Sequence, residues 1–328
     1  MIARRSFIAM ALAAALPLPA RAGNDFDPAT NATSQELRVL LGPGNAFPLA
    51  RGGFLFGGRP YRGAYAVTPD GVVNTVGLEE YLYSVVPREM PAAWPANALQ
   101  AQAICARTYV LQRSNPRRAY DLVPSELDQV YGGVASETPA SRDAVDATHG
   151  FVLRYAGQFA LVMYSSCCGG HTESASDAWG GPPIPYLGGV RCTTCTAAPY
   201  YRWSRPVALG DIEQQFTPQL AGLGALQTIA LAGTDPSGRA RALMLQAQNG
   251  AVQIKGSAFR SRVGVRIIPS LLITRIDGLG PEQVTFQGGG LGHGVGLCQW
   301  GARGLAQQGA RFSEILSFYF PGTEIDHD

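Results

Sequence analysis

Three prolines at four-residue intervals, Pro87, Pro91 and Pro95, punctuate an otherwise helix-friendly stretch running from Leu78 to Leu111. Proline fixes φ, removes a backbone donor and biases the preceding residue towards extended geometry. The spacing predicts that Arg88, Glu89 and Met90 lie on a short, stiff turn. A helix over 96–112 should follow, entered at Pro95, where the missing N–H costs nothing. Glu89 would then be held beside Met90 and Trp94. Partly apolar surroundings of that kind favour the neutral form of a carboxyl and suit a general acid. The same residues also read as a salt-bridged surface glutamate next to Arg88. Within the predicted helix, Leu99, Ala103, Ala106 and Val110 form a narrow small-residue face for close packing. Gln102 flanks that face and Arg107 is off it, so both are expected to meet solvent. Cys105 reads as a small buried apolar residue, with no base near it in sequence.

The first 22 residues read as an address. Arg4-Arg5 is followed by an apolar run over 7–18 and by Ala20-Arg21-Ala22, a small-x-small cleavage site. The run is shorter than the ~20 residues that cross a bilayer. The paired arginines and Phe7 resemble a twin-arginine signal. The chain is therefore expected to be exported to the periplasm or cell wall, without a transmembrane segment in its mature form. Residues 23–36 are a polar lead-in. The rest, 37–328, is expected to form one domain with a β-rich subdomain over 205–286.

Strand signals alternate with turns along that remainder. Residues 37–41 end at Gly42-Pro43-Gly44, and 61–67 and 72–76 flank Pro69-Asp70-Gly71 as a hairpin. A short helix is expected over 141–148 and a hairpin over 151–164 turning at Ala156-Gly157. Further strands are expected at 227–231, 241–246, 252–254, 271–276 and 283–286, with Asp235-Pro236-Ser237-Gly238-Arg239 a turn between two of them. Helices should cover 211–216, 299–308 and 314–320, the last capped by Ser313. The fold class is α+β: mixed, largely antiparallel sheets packed with a few helices. With 26 basic and 24 acidic side chains, and Lys255 the sole lysine, no basic patch for nucleic acid is present.

Two segments carry metal-ligand chemistry. Ser165-Ser166-Cys167-Cys168-Gly169-Gly170-His171 precedes Cys192-Thr193-Thr194-Cys195 by some twenty residues. A CxxC with a Cys/His pair has the spacing of a tetrahedral zinc site. Candidate ligands are His171, one of Cys167 and Cys168, Cys192 and Cys195. Such a site would be structural, since four protein ligands leave no open position. An oxidising compartment suits disulfides among the same cysteines equally. Near the C-terminus, QGGGLGHGVGLCQWG over 287–301 is too close to the end for a dinucleotide-binding βαβ unit and lacks a P-loop Lys-Ser/Thr. It reads as a loop in close backbone contact with something, with His293 either binding a ligand or holding the loop together.

Three long motifs, taken together, resemble the SpoIID/LytB family. They are Tyr81-Leu82-Tyr83-Ser84-Val85-Val86-Pro87-Arg88-Glu89-Met90-Pro91 with the Gln102–Arg107 helix, Ser165–Glu173 with Trp179, and Gly292–Ala302 with Pro321-Gly322-Thr323. The resemblance implies a peptidoglycan lytic transglycosylase, which cleaves the MurNAc–GlcNAc β-1,4 bond and leaves a 1,6-anhydro end. Glu89 of the Glu-Met-Pro motif would be its catalytic acid. One carboxyl suffices because the C6 hydroxyl of the sugar is the nucleophile; a hydrolase needs two. Gln102, Arg107, Ser165 and His293 fall in family motifs and are candidates for binding glycan or orienting Glu89. The alternative is a non-catalytic wall binder that enhances a separate amidase. A zinc hydrolase lacks an HExxH-type ligand set. Two departures stand out: Ser-Ser-Cys-Cys replaces the Ser-Thr-Ser common in sporulation members, and Cys298 replaces a common Ser.

Overall fold

The structure is a computed structural model that describes residues 35–125, 128–278 and 282–328. The twin-arginine-like segment 1–22 and nearly all of the lead-in lie outside the described residues. The chain divides into two compact units, one reaching Val162 and including Glu324–Asp328, the other spanning Met163–Thr323. Mixed helices and small, mainly antiparallel sheets make the fold α+β.

In the first unit, Gly71–Gly77 is the centre of an antiparallel sheet between Glu36–Gly42 and Ala64–Thr68, with Thr68 opposite Gly71 across the expected hairpin. The central strand runs directly into helix α1, Leu78–Glu89. Its buried residues Leu78, Tyr81, Leu82, Val85 and Val86 recur at three- and four-residue spacing, the stripe of a helix lying on a core. Helix α2, Ala96–Arg113, packs on α1, on α3 (Pro139–Asp146) and on the strand Phe151–Tyr155. That strand sits between Gln158–Phe159 and the C-terminal strand Glu324–His327.

Two expectations are corrected here. Glu89 is not on a turn at a helix entrance; it is the last residue of α1, and Pro87 lies inside that helix. Proline at an interior position frees the carbonyl four residues earlier. That carbonyl, Tyr83 O, accepts a hydrogen bond from Ser141 Oγ of α3 at 3.0 Å, so the helix continues through the proline with the group satisfied. Second, α2 is buried from Ala101 to Leu111 without a break, so Gln102 and Arg107 are interior rather than solvated. A helix enclosed on every side carries no 3.6-residue polarity signal to read.

In the second unit, Trp203–Ala208, Gln283–Gly288 and Ile273–Gly278 form one antiparallel sheet. Leu226–Leu231, Ala242–Ala247 and Gly250–Lys255 form another. Phe216, Phe259, Phe286, Leu243 and Leu245 lie in the core these strands share with helices Leu209–Gln215 and Gly256–Val263. The strand Trp203–Ala208 escapes sequence reading because it contains Pro206, which an edge position tolerates. The last helix is Phe312–Tyr319; Ser313 lies inside it instead of capping it, and Glu314 closes the end by accepting from the Arg311 N–H at 2.8 Å.

Candidate functional site

The chemistry-bearing residues fall into one group in each unit. In the first, Glu89 continues the buried stripe of α1, lying four residues beyond Val85, and is half-buried where the helix leaves the core. Met90 beside it is fully buried. The negative charge of Glu89 is felt at two phenols. Burial pushes the Tyr81 and Tyr109 hydroxyls up, and Asp128 and Glu89 add to the shift. Tyr109 Oη donates to Asp128 Oδ1 at 3.3 Å, whereas the buried Tyr81 hydroxyl has no hydrogen-bond partner among the described residues. A carboxylate at a helix C-terminus also faces the negative end of the peptide dipoles, so helix stability does not account for Glu89.

Arg107 is wholly interior. Its guanidinium grips Glu79 in a fork, Nε to Oε1 at 2.8 Å and Nη2 to Oε2 at 2.6 Å, while Nη1 donates to Phe151 O at 2.9 Å. It thus ties α2 to α1 and to the strand behind both. Gln102 is also fully buried. Arg107→Met should lower the stability of this unit by roughly 3–5 kcal/mol, because Glu79 is left without its counter-ion. Chemical unfolding checks this. A loss no larger than that of an exposed arginine such as Arg117 would refute the brace.

The second group is built on Ser165–Glu173, Cys192–Cys195 and the glycine-rich loop. Tyr164–Ser165 pairs in parallel with Leu297–Cys298, joining two of the expected motifs. The sulfurs of Cys168, Cys192, Cys195 and Cys298, all buried, lie within 4.8 Å of one another. The Cys168–Cys195 separation is 3.7 Å. Four thiolates about 2.3 Å from a tetrahedral zinc are themselves about 3.8 Å apart. Cys298 Sγ accepts from the Cys168 N–H at 3.2 Å and the Gly301 N–H at 3.4 Å, capping the helix Gln299–Gln307. The Tyr319 hydroxyl lies 3.2 Å from Cys192 Sγ. Shared hydrogen bonds among the thiols pull Cys192 down to about 7, while burial pushes Cys298 up. Donors aimed at sulfur are what a cluster of thiolates requires.

The four-sulfur group therefore differs from the expected candidate set, with Cys298 in it and the histidine outside. His171 lies outside the four-sulfur group, with Nδ1 2.7 Å from its neighbour's carbonyl Thr172 O. Cys167 is buried alongside without being one of the four. The turn carrying Cys168 is fastened by Arg239, whose Nη2 donates to Cys168 O at 2.8 Å and whose Nη1 donates to His171 O at 3.0 Å. Arg239 Nε is also 3.5 Å from Glu173 Oε2. Burial pushes the Glu173 carboxyl up to about 8 against the pull of Arg239, and the neighbouring Asp235 adds to the shift.

His293 has both ring nitrogens engaged. Nδ1 accepts the Val295 N–H at 3.0 Å and Nε2 is 3.0 Å from Tyr164 O, an arrangement that requires the neutral ring protonated at Nε2. Burial lowers its pKa to about 4. Its ring packs on Trp179 with centroids 5.3 Å apart. The glycines around it permit close approach. A Cβ on Gly294, at φ +82°, would sit 2.1 Å from Arg239 Nη2, and one on Gly296, at φ +71°, 2.2 Å from Met163 O. Both contacts fasten the loop to the backbone around it. Ser165, the chain neighbour of Tyr164, is buried, its Oγ without a partner among the described residues.

A family model described as Stage II sporulation protein (SpoIID) matches residues 69–155, the region holding Glu89, Gln102 and Arg107. The chain is 30% identical over 275 residues to Stage II sporulation protein D of Bacillus amyloliquefaciens, covering 79% of this chain and 76% of the relative. The chain belongs to the SpoIID/LytB family. It is also 33% identical over 283 residues to an uncharacterized protein of Brachyspira hyodysenteriae, covering 83% of this chain and 74% of that one. The amidase enhancer of Bacillus subtilis is 26% identical over 294 residues, and the match covers 74% of this chain but only 40% of the enhancer. A model for a domain of unknown function (DUF8618) matches residues 187–296. Within the family frame, the residues that sequence reasoning passed over are Arg239, seen only as the end of a turn, and Cys298, seen only as a substitution for Ser. An isolated cysteine far from a CxxC gives no spacing signal; the parallel pairing of residues 164–165 with 297–298 brings it in.

Proposed function

We propose that this chain is a peptidoglycan lytic transglycosylase in which Glu89 is the single acid/base. The observation that carries the reading is the position of Glu89: a half-buried carboxylate at the end of the buried stripe of α1, next to the buried Met90, with its charge felt at the Tyr81 and Tyr109 phenols, in the family's Glu-Met-Pro motif. In the acid form it protonates the bridging oxygen between MurNAc and GlcNAc, and the C1–O bond breaks with its electron pair leaving on that oxygen. The resulting carboxylate then takes the proton of the C6 hydroxyl as O6 bonds to C1, which closes the 1,6-anhydro ring and restores the acid. No water is consumed. The positioning comes from α1, braced through Arg107 and Glu79 and carried past Pro87 by Ser141.

The four buried thiols fit one Zn²⁺, held by Cys168, Cys192, Cys195 and Cys298. With four sulfur ligands such an ion supplies folding energy rather than a reactive water. The signal-like N-terminus fits export to the wall compartment, and among the described residues no helix is long and apolar enough to cross a membrane.

Similarity to the amidase enhancer favours a second reading, a wall-binding protein that stimulates a separate amidase without cleaving glycan. Purified protein incubated with glycan strands, with and without stem peptides, separates the two. Anhydromuramoyl ends support the transglycosylase. Faster peptide release by an added amidase, with no anhydro ends, supports the enhancer.

A further inference from the structure

Five of the six cysteines lie in the Met163–Thr323 unit, and four of these make up the sulfur group. Cys167 is the fifth. It is buried, and its thiol shares hydrogen bonds with the sulfurs of Cys195 and Cys298. Its backbone is pinned from both sides: the Cys167 N–H donates to Leu291 O at 3.1 Å, and the Leu291 N–H donates to Cys167 O at 2.8 Å. Packing alone would be met by any small apolar residue here, so the thiol itself calls for an account. Access to the group is one-sided. Cys192 and Cys195 sit on a turn whose neighbours Arg191, Thr193, Thr196 and Ala197 are exposed, whereas Cys298 is flanked by the buried Leu297 and Gln299. A small oxidant therefore meets the group from the CxxC side. Of the two sulfurs that Cys167 adjoins, Cys195 is the one on that side.

We propose that Cys167 is a site of reversible oxidative modification, a resolving thiol that forms a disulfide with Cys195 when the group meets hydrogen peroxide. The proposal rests on the four-thiol metal reading above. First, the Cys195 sulfur attacks one peroxide oxygen. An S–O bond forms, the O–O bond breaks, and the departing hydroxide takes a proton from solvent to become water. The Cys167 sulfur then attacks the oxidised sulfur. The S–S bond forms, the S–O bond breaks, and the hydroxyl leaves as a second water with the Cys167 proton. Two thiols are oxidised by two electrons and one peroxide is reduced to two waters. The fifth thiol decides how much of the site survives. With it, oxidation removes a single donor and leaves Cys168, Cys192 and Cys298 in place; without it, a disulfide has to join two of the four donors. A site that keeps three thiolates retains its ion more firmly than one that keeps two, and a reductant can restore it.

The test treats the zinc-loaded mature protein with one equivalent of hydrogen peroxide and maps disulfides by mass spectrometry of thiol-blocked digests. The first disulfide is expected to join Cys167 to Cys195. After gel filtration and reduction with dithiothreitol, the zinc-to-protein ratio should return close to its starting value. Cys167→Ala and Cys167→Ser should fold and load zinc as the wild type does, by circular dichroism and elemental analysis. Both should lose that cross-link, and after the same cycle their zinc ratio should stay well below the starting value. A first disulfide that leaves Cys167 reduced overturns the proposal. So does equal zinc retention by the wild type and both variants. A protein isolated without zinc whose reduced chain still joins Cys167 to Cys195 under peroxide would sink the metal reading and leave the resolving pair standing.

Discussion

Glu89→Gln is expected to reduce formation of anhydromuramoyl ends by about 10³-fold or more, with no loss of folding. General acid–base catalysis by one positioned group contributes roughly 10²–10⁴. Here the same group is asked to deliver a proton to the leaving oxygen and then to remove one from the C6 hydroxyl, so neither half of the reaction has a substitute. Glutamine keeps the shape and one acceptor oxygen but can do neither. The half-buried site at the end of α1 tolerates the exchange, since the fully buried side chains around it, Tyr81, Val85, Val86 and Met90, are untouched. Glu89→Asp is the more searching variant. It retains the acid but withdraws it by one methylene, and a misplacement of about 1 Å can cost ~10²-fold. Its activity should fall between those of wild type and Glu89→Gln. Product analysis by mass spectrometry of digested glycan strands reads all three. Equal yields of anhydro ends from wild type and Glu89→Gln would refute the acid/base assignment outright.

The placement of Glu89 also shows where sequence reasoning reached and where it stopped. The prolines correctly marked the segment, yet the reading put Glu89 on a turn because an interior proline normally ends a helix. What lets α1 run on is a hydroxyl from Ser141, fifty-eight residues away from the Tyr83 carbonyl it satisfies. Compensation of that kind is tertiary and leaves no mark in the local pattern. The hairpin through Asp70-Gly71 and the paired strands at 242–255 were legible for the opposite reason: their register is set by turns and side-chain alternation within a dozen residues. Helix α2 was legible as a helix, from its alanines and lack of breakers, but not in its burial. Arg107 and Gln102 look like solvated residues until Glu79, Phe151 O and the enclosing elements are in place. The pairing of both His293 nitrogens with backbone groups was likewise invisible in sequence, because one partner, Tyr164 O, lies 129 residues away.

Removing Cys298 should be the most damaging single change in the Met163–Thr323 unit. The purified mature protein is expected to hold one zinc per chain, measured by elemental analysis. Cys298→Ser should lower that ratio sharply and cost roughly 4–5 kcal/mol or more, the range that marks loss of a metal site. The reasoning rests on what this one sulfur does. It would be the ligand opposite the Cys192–Cys195 pair, it caps the helix Gln299–Gln307, and it accepts two backbone N–H groups. Serine can cap but binds zinc far less well than a thiolate. Two controls separate the four-thiol set from the set that spacing suggested. His171→Ala should keep its zinc, because the imidazole lies outside the sulfur group. Cys105→Ser, in the other unit, should keep it as well. Zinc retained by Cys298→Ser but lost in His171→Ala would restore the Cys/His set. Metal-free protein whose intact mass is four hydrogens short would replace zinc by two disulfides, and would require the Cys168 and Cys195 sulfurs, 3.7 Å apart, to find bonded partners at about 2.05 Å. The metal and its alternative make different demands on export. A zinc-loaded fold is completed where thiols are reduced, which suits a route that carries folded proteins, whereas disulfides form only after transport.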